Sequence, residues 1–353
     1  MAYVSALSRF MSQALKTEPG STRRLEHLTT LCQIMLADPD DLVLRIVCDI
    51  LADRESETGE VTYQGEHAAS FSAFFNNSPA IANLRDEFAA WTWVANARNQ
   101  LTLRLCDLGC GDGVAISHVI EKCISKRPFR GVRIFLNDTQ EGMLQKSSVN
   151  VTEICKQYGI EDLDIYEMPG PAQSPSVTTA IRTFFKEDMD QVIVTAATSI
   201  HHMPFDQKVV LLKQLASLRP ALLLIGDANS EHDVHNEPLS PEIVACTSRL
   251  YGLLYRSLKE SGATKDVLKT ARFFLGSEAR NIIMKPASER IDYHTSVGHW
   301  RDLLHLTGFV LKNPEMTAPH LSPSTTRRLN TDHIESFVFE DESLTFTIAA
   351  TLR

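Results

Sequence analysis

The chain has 353 residues, 43% of them hydrophobic, with 44 acidic against 35 basic side chains and a formal net charge of −9. That length accommodates two domains, or one α/β core with elaborations, and the apolar fraction builds a core without covalent staples. The acidic balance and the lack of a sustained Lys/Arg face argue against nucleic-acid phosphates as a partner, and no run approaches the roughly 18 consecutive apolar residues of a membrane span.

The N-terminus MAYVSALSRFMSQALK has no basic start followed by a long apolar block, so the cytoplasm is the expected compartment. The seven cysteines are scattered and odd in number, which reads as reduced, buried thiols. Cys106 and Cys110 lack a second pair or a histidine cluster, and no metal is expected.

Residues 1–98 carry helical periodicity and no persuasive strand, in LEHLTTLCQIMLA, DDLVLRIVCDILADR and IANLRDEFAAWTWVANA, with the polar interval ESETGEVTYQGEHAAS between the second and third. Strand and helix alternate afterwards, as in a mostly parallel sheet. The strands are LTLRLCDLG, GVRIFLND, DLDIYEM, QVIVTAATS and ALLLIGDA; the helices are VAISHVIEKCISK, GMLQKSSVNVTEICKQYG and FDQKVVLLKQLASL. The rhythm breaks after the fifth strand, and residues 231–276 read as a helical insertion. A helix around HWRDLLHLTGF, a strand FVLKNP and a last strand SLTFTIAATL complete a core spanning 99–353. In such sheets ligands lie outside the carboxyl ends of the strands. The N-terminal helices and the insertion are therefore expected to form a cap over a substrate pocket.

The first strand ends in DLGCGDG. Glycines at every second position permit left-handed backbone and the approach of a ligand to main-chain atoms. A dinucleotide turn wants its third glycine one residue later, where Val114 stands, and a phosphate loop wants a lysine followed by Ser or Thr. The motif resembles instead the D-x-G-x-G-x-G turn of class I S-adenosylmethionine-dependent methyltransferases. That resemblance implies S-adenosylmethionine as cofactor, held by Asp107, Gly109, Cys110, Gly111 and Gly113. Asp138, at the end of the second strand, is placed to accept the ribose hydroxyls, with Asn137 assisting. The plain alternative is that the glycines serve only strand-to-helix packing. Glu187 and Asp188, at the amino end of the fourth strand, read as solvated charge.

The fourth strand ends in TAATSIHHM, which brings Ser199, His201 and His202 to the cofactor edge. A histidine there can take a proton from a hydroxyl or amine, and the two cannot be ranked. The alternative is that one packs and the other faces solvent.

A second likeness covers the distal half. NIIMKPASERIDYHTSVGHWRDLLHLTGF resembles the tail of GRAS-domain proteins, with Asn281, Glu289, Arg290, His294, Trp300, Arg301, Gly308 and Phe309 at matching positions. Tyr293 and Thr295 depart from the pattern. Asp227, His235, Asn236, Tyr251, Ser257 and Leu258 match upstream. The resemblance implies a Rossmann-type class I methyltransferase core, a mostly parallel seven-stranded sheet, topped by a helical cap. Plant members are transcriptional regulators that have largely lost the glycine turn. This chain keeps it and is more similar to the bacterial relatives, proposed to methylate small molecules. Near the pocket, His235, Asn236, Tyr255, Arg290 and Tyr293 are expected to bind substrate.

The expected activity is methyl transfer to an oxygen or nitrogen of a small molecule. A carboxylate acceptor requires no base, whereas a hydroxyl or amine calls for a histidine. The rival reading is a non-catalytic GRAS-like module that senses a ligand or binds a protein through a retained pocket. A homodimer is kept in view as the assembly.

Overall fold

The computed structural model describes residues 4–38, 41–53, 65–96, 101–312, 319–320 and 344–352. Its sheet contains β1 (Thr102–Leu108), β2 (Gly131–Asp138), β3 (Asp162–Pro169), β4 (Ile193–Ala197), β5 (Leu222–Ala228), β6 (Phe309–Leu311), β7 (Pro319–His320) and β8 (Thr345–Leu352). The order is β3-β2-β1-β4-β5-β8-β6, with the two-residue β7 paired to β8. The five strands β1 to β5 run parallel, and β8 is antiparallel to both β5 and β6. This is the mostly parallel α/β sheet expected of a Rossmann-like fold.

Side chains alternate across the strands, so each strand feeds two cores. Leu103 and Leu105 of β1 join Ile134, Leu136, Leu222 and Leu224 on one face. That face is covered by α5 (Pro79–Ala95), α6 (Val114–Lys126) and α7 (Glu141–Gln157). Cys106 and Leu108 turn to the other face with Phe135, Val194, Leu223 and Ile225. There α8 (Pro175–Phe185), α9 (Phe205–Leu218) and α12 (Val297–Leu306) supply the cover, including the fully buried Trp300. β5 is buried along its whole length, which explains the continuous apolar run ALLLIGDA. The edge strand β3 alternates exposed and half-buried positions.

Contacts group the chain into two compact units: Met1–Ala82 with Asn229–Thr295, and Asn83–Ala228 with Ser296–Arg353. The first is helical: α1 (Ala6–Leu15), α2 (Thr22–Ala37), α3 (Leu42–Leu51), α4 (Gly65–Asn77), α10 (Pro241–Glu260) and α11 (Lys265–Met284). Ser5, Ser21, Asp41, Ser240 and Thr264 each cap a helix by accepting a backbone N–H from three residues on. The buried Arg24 joins two helices, its Nε donating to Leu51 O at 3.0 Å and its Nη2 to Ile50 O at 2.8 Å. Phe274 of α11 meets Phe71 and Phe74 of α4 at centroid distances of 5.5 and 5.6 Å.

Several expectations need correction. The insertion does not stop at residue 276, because α11 continues unbroken to Met284 and carries Asn281–Ile283 as helix rather than strand. The boundary at 98 also shifts: most of α5 belongs with the sheet. Three helices escaped the sequence reading. α1 lies in the N-terminal stretch, and α4 begins inside the polar interval. α8 follows directly on the proline-rich loop, with Pro175 at its first position, where proline is favoured. Glu187 is exposed as expected, whereas Asp188 is only partly solvated, its Oδ2 meeting Arg104 Nε at 3.1 Å. All seven cysteines are free, and all but Cys32 are buried. Among the described residues no helix is long and apolar enough to cross a membrane.

α5 lies directly against the β5 backbone. A Cβ at Gly226 would stand 2.5 Å from Phe88 Cε2 and 3.0 Å from Leu84 Cδ1. Gly226→Ala is therefore expected to lower stability by about 1–3 kcal/mol, read as a reduced urea midpoint. A midpoint equal to that of the wild type would refute this packing.

Candidate functional site

The turn after β1 sits where the strand order reverses, between β2 and β4, the position at which open sheets bind ligands. Gly109, Gly111 and Gly113 have φ of 66°, 53° and 79°, a region that L side chains rarely adopt. Their surroundings differ. A Cβ on Gly109 would lie 2.4 Å from Ser199 Cβ, and one on Gly113 would lie 2.6 Å from Ser147 Cα. Among the described residues, a Cβ on Gly111 would meet nothing within 4 Å. The outer glycines let neighbouring chain close in, while the middle one faces open space.

The end of β2 holds this turn. Gly111 N–H donates to Asp138 Oδ2 at 2.9 Å, Gln140 N–H donates to Asp138 Oδ1 at 2.9 Å, and Cys110 N–H donates to Asn137 O at 2.9 Å. Asn137 is buried, and its Nδ2 donates to Met168 O at 2.8 Å and Gly170 O at 2.9 Å. Its amide thus anchors the end of β3 rather than the turn. Cys110 is buried too, and burial pushes its thiol pKa well up.

Asp107 lies beneath the turn with 3% of its surface exposed. Its Oδ1 accepts the Thr195 hydroxyl at 2.7 Å. Burial pushes its pKa up to about 7; the Thr195 hydrogen bond opposes that rise and the Asp138 charge adds to it. A narrow slot borders Asp107, with Leu84, Arg85 and Phe88 of α5 on its other side. Burial also lowers the Arg85 pKa.

Directly after β4 stands Thr198, a β-branched residue at φ 53° whose N–H donates to Gly226 O at 2.7 Å. Ser199 follows, and its hydroxyl donates to Leu108 O at 2.8 Å, clamping this end to the glycine turn. A short 3-10 turn, Ile200–His202, then carries both histidines. His201 is buried, with Nδ1 2.8 Å from Asp227 Oδ1, whereas His202 is exposed. Their ring centroids are 4.1 Å apart. This is the arrangement of the plain alternative, in which one histidine packs and the other faces solvent. Asp227 was missed as a site residue, although a lone carboxylate closing the apolar run ALLLIG was a usable signal.

In the helical unit, Arg290 is buried, its Nε donating to Lys285 O at 3.0 Å and its Nη1 to His235 O. Burial lowers its pKa and that of His235. Tyr293 OH lies 2.8 Å from Ala287 O and 2.7 Å from Arg290 O. Tyr255 is buried, its hydroxyl taking a hydrogen bond from Arg272 Nη2 at 3.1 Å. Asn236 is exposed. His235, Arg290 and Tyr293 are thus brought together, but through main-chain carbonyls, while Tyr255 pairs elsewhere. A buried polar group surrounds Tyr251, whose OH is 3.3 Å from Glu278 Oε2 and 3.4 Å from His294 Nε2; of the three, Glu278 alone carried no signal in the sequence.

The sequence matches the GRAS domain family over residues 47–343. The chain belongs to the GRAS domain family. Among solved structures it is similar to SCL7 from Oryza sativa, with a TM-score of 0.66 and 16% identity, covering 99% of this chain and 100% of that one. Magnesium protoporphyrin IX methyltransferase from Synechocystis PCC 6803, solved with bound SAH, gives a TM-score of 0.40 at 14% identity over 78% of this chain and 85% of that one. The plantazolicin methyltransferase BamL, in complex with a desmethylPZN analog and SAH, gives 0.43 at 11% identity over 82% and 91%. No curated protein matches the chain by sequence. At 16% identity the likeness to SCL7 shows the fold of the GRAS chain alone.

Asp107 makes the stability of this GRAS chain depend on pH. With a folded pKa of about 7 against an unfolded value near ~3.9, the folded form keeps a proton that the unfolded chain has lost across that window. Stability therefore falls as pH rises from about 4 to about 7, and the penalty is complete above that. Asp107→Asn is expected to be more stable than wild type at pH 8, by at most on the order of 4 kcal/mol, with the gap closing towards pH 4. Urea unfolding at three pH values checks this; a gap independent of pH refutes it.

Proposed function

We propose that this chain binds S-adenosylmethionine in the glycine turn and transfers its methyl group to an oxygen or nitrogen atom of a small molecule. The observation that carries the reading is Gly111: a left-handed glycine, open on its Cβ side, whose N–H is held by the carboxylate ending the next strand. Packing accounts for Gly109 and Gly113 but places no neighbour against Gly111. The donor set fits a nucleoside carrying an amino acid. Each Asp138 oxygen takes one backbone N–H and keeps a lone pair for a ribose hydroxyl. Asp107, buried beneath the turn, is the carboxylate that would meet the α-ammonium of the donor's amino-acid part.

Bound there, the cofactor would supply a methyl group already made electrophilic by its sulfonium. The chain's own contribution is alignment and exclusion of water. Asp138 would orient the nucleoside, and Ser199 holds the end of β4 against the turn through Leu108 O. A cationic ammonium beside Asp107 favours its ionised form. Cofactor binding is therefore expected to release a proton near neutral pH and to tighten as pH rises through about 7.

The test is calorimetry with S-adenosylmethionine and its demethylated product on the wild type, Gly111→Asn and Asp138→Asn. Asparagine tolerates left-handed backbone, so Gly111→Asn fills the open space while sparing the fold. Both variants are expected to bind about tenfold or more weakly, the scale of one lost charge-assisted hydrogen bond, with melting temperatures within a few degrees of wild type. Unchanged affinity in both variants, or no heat from the wild type, sinks the proposal.

A further inference from the structure

A wider cavity opens away from the glycine turn, on the face of β2 and β3 that α8 covers. Its volume is about 510 Å³, and its lining includes Arg133 of β2, Tyr166 of β3, Thr179, Thr183 and Phe184 of α8, and Lys186 directly after that helix. All six belong to the unit that holds the sheet. Arg133 stands five residues before Asp138 along β2, about 16 Å at the rise of a strand. The cavity and the cofactor turn are therefore separate places, and the volume is within the range that small molecules fill.

Two rings give the cavity an aromatic surface. Tyr166 stacks on the buried Phe135 with centroids 5.3 Å apart and planes at 11°, and Phe184 tilts against Tyr166 at 5.5 Å. Held on both sides, Tyr166 still has 42% of its surface exposed, which leaves it open to a further ring. Arg133 Cζ lies 4.5 Å from the Phe184 centroid, and its Nε is 3.1 Å from Asp164 Oδ2. Among the described residues its two terminal nitrogens make no hydrogen bond, and the Lys186 ammonium makes no ion pair. One carboxylate against two cations leaves this place an excess positive charge, in a chain whose net charge is −9.

The helix side has the opposite hydrogen-bonding character. Thr179 and Thr183 donate their hydroxyl protons to Pro175 O and Thr179 O, each at 2.9 Å, and so offer lone pairs. Lys186 is held at φ 52° and ψ −118°, a positive φ that a Cβ disfavours and that glycine commonly takes after a helix. A lysine there puts an ammonium on the cavity at the expense of its own backbone.

We propose that this cavity binds a fused-ring aromatic monocarboxylate bearing a hydroxyl, its ring stacked on Tyr166, its carboxylate between Arg133 and Lys186, and its hydroxyl donating to Thr179 or Thr183. The guanidinium fork suits a planar carboxylate, and Asp164 beside it disfavours a dianion. A cavity of about 150 Å³ holds one benzene ring, so this one has room for two or more. The inference stands apart from methyl transfer and needs no cofactor in the turn.

Calorimetry on the full chain tests it, with 6-hydroxy-2-naphthoate as the probe and 2-naphthol as its uncharged counterpart. Wild type is expected to bind the naphthoate at one site and 2-naphthol about tenfold or more weakly, the scale of a lost charge-assisted hydrogen bond. Arg133→Gln is expected to weaken the naphthoate by a similar factor. Lys186→Gly gives that backbone the residue it suits, so this variant is expected to melt no lower than wild type while its affinity falls severalfold. Should Arg133→Gln fail to fold, Lys186→Gly decides alone. The proposal is overturned by no heat from the naphthoate on wild type, by equal affinity for 2-naphthol, or by an affinity that the folded variants leave unchanged.

Discussion

Everything at the carboxyl edge of the sheet depends on one close approach. The turn after β1 can lie against Ser199 on one side and Ser147 on the other because Gly109 and Gly113 have no side chain to interpose. That approach brings the end of β4 and the start of α7 to the same few backbone atoms. The carboxylate of Asp138 completes the arrangement by taking the amide of the one glycine that packing leaves open. The result is a frame of backbone groups held by the Asp138 carboxylate and the Ser199 hydroxyl.

Two buried carboxylates flank that frame in contrasting settings. Asp107 accepts one hydroxyl and has the Asp138 charge nearby, so desolvation dominates and drives its pKa up to about 7. Asp227 is surrounded by three donors, two of them backbone amides and the third a histidine ring. They also face opposite ways: Asp107 shares a side with Leu105 and Thr195, towards α5 and α6, and Asp227 follows Ile225 and Leu223 by alternation onto the other side.

The helical unit is assembled by different means. Its helices are capped by Ser, Thr and Asp side chains, and the guanidiniums of Arg24 and Arg290 bond to the carbonyls that end helices or loops. Arg290 and Tyr293, which the family resemblance put near substrate, spend their described hydrogen bonds on this main chain. The departure of Tyr293 from the family pattern costs the unit no anchor, because its hydroxyl reaches the carbonyls of Ala287 and Arg290.

The parallel sheet, its glycine turn and the acid one strand over were legible in the sequence because each depends on local chemistry. Alternation and apolar runs betray strands, left-handed backbone demands glycine, and a carboxylate at a strand end has few other reasons to be there. The helix boundaries around 276–284 and 65–77 were not legible, since apolar spacing alone does not separate a buried helix from a strand, and the start of a helix can be polar. Nor did the sequence distinguish His201 from His202, or single out Asp227 as a site residue. Those facts belong to the tertiary structure, because a histidine's role is set by what its ring nitrogen meets, and the partner here lies 26 residues away on a neighbouring strand.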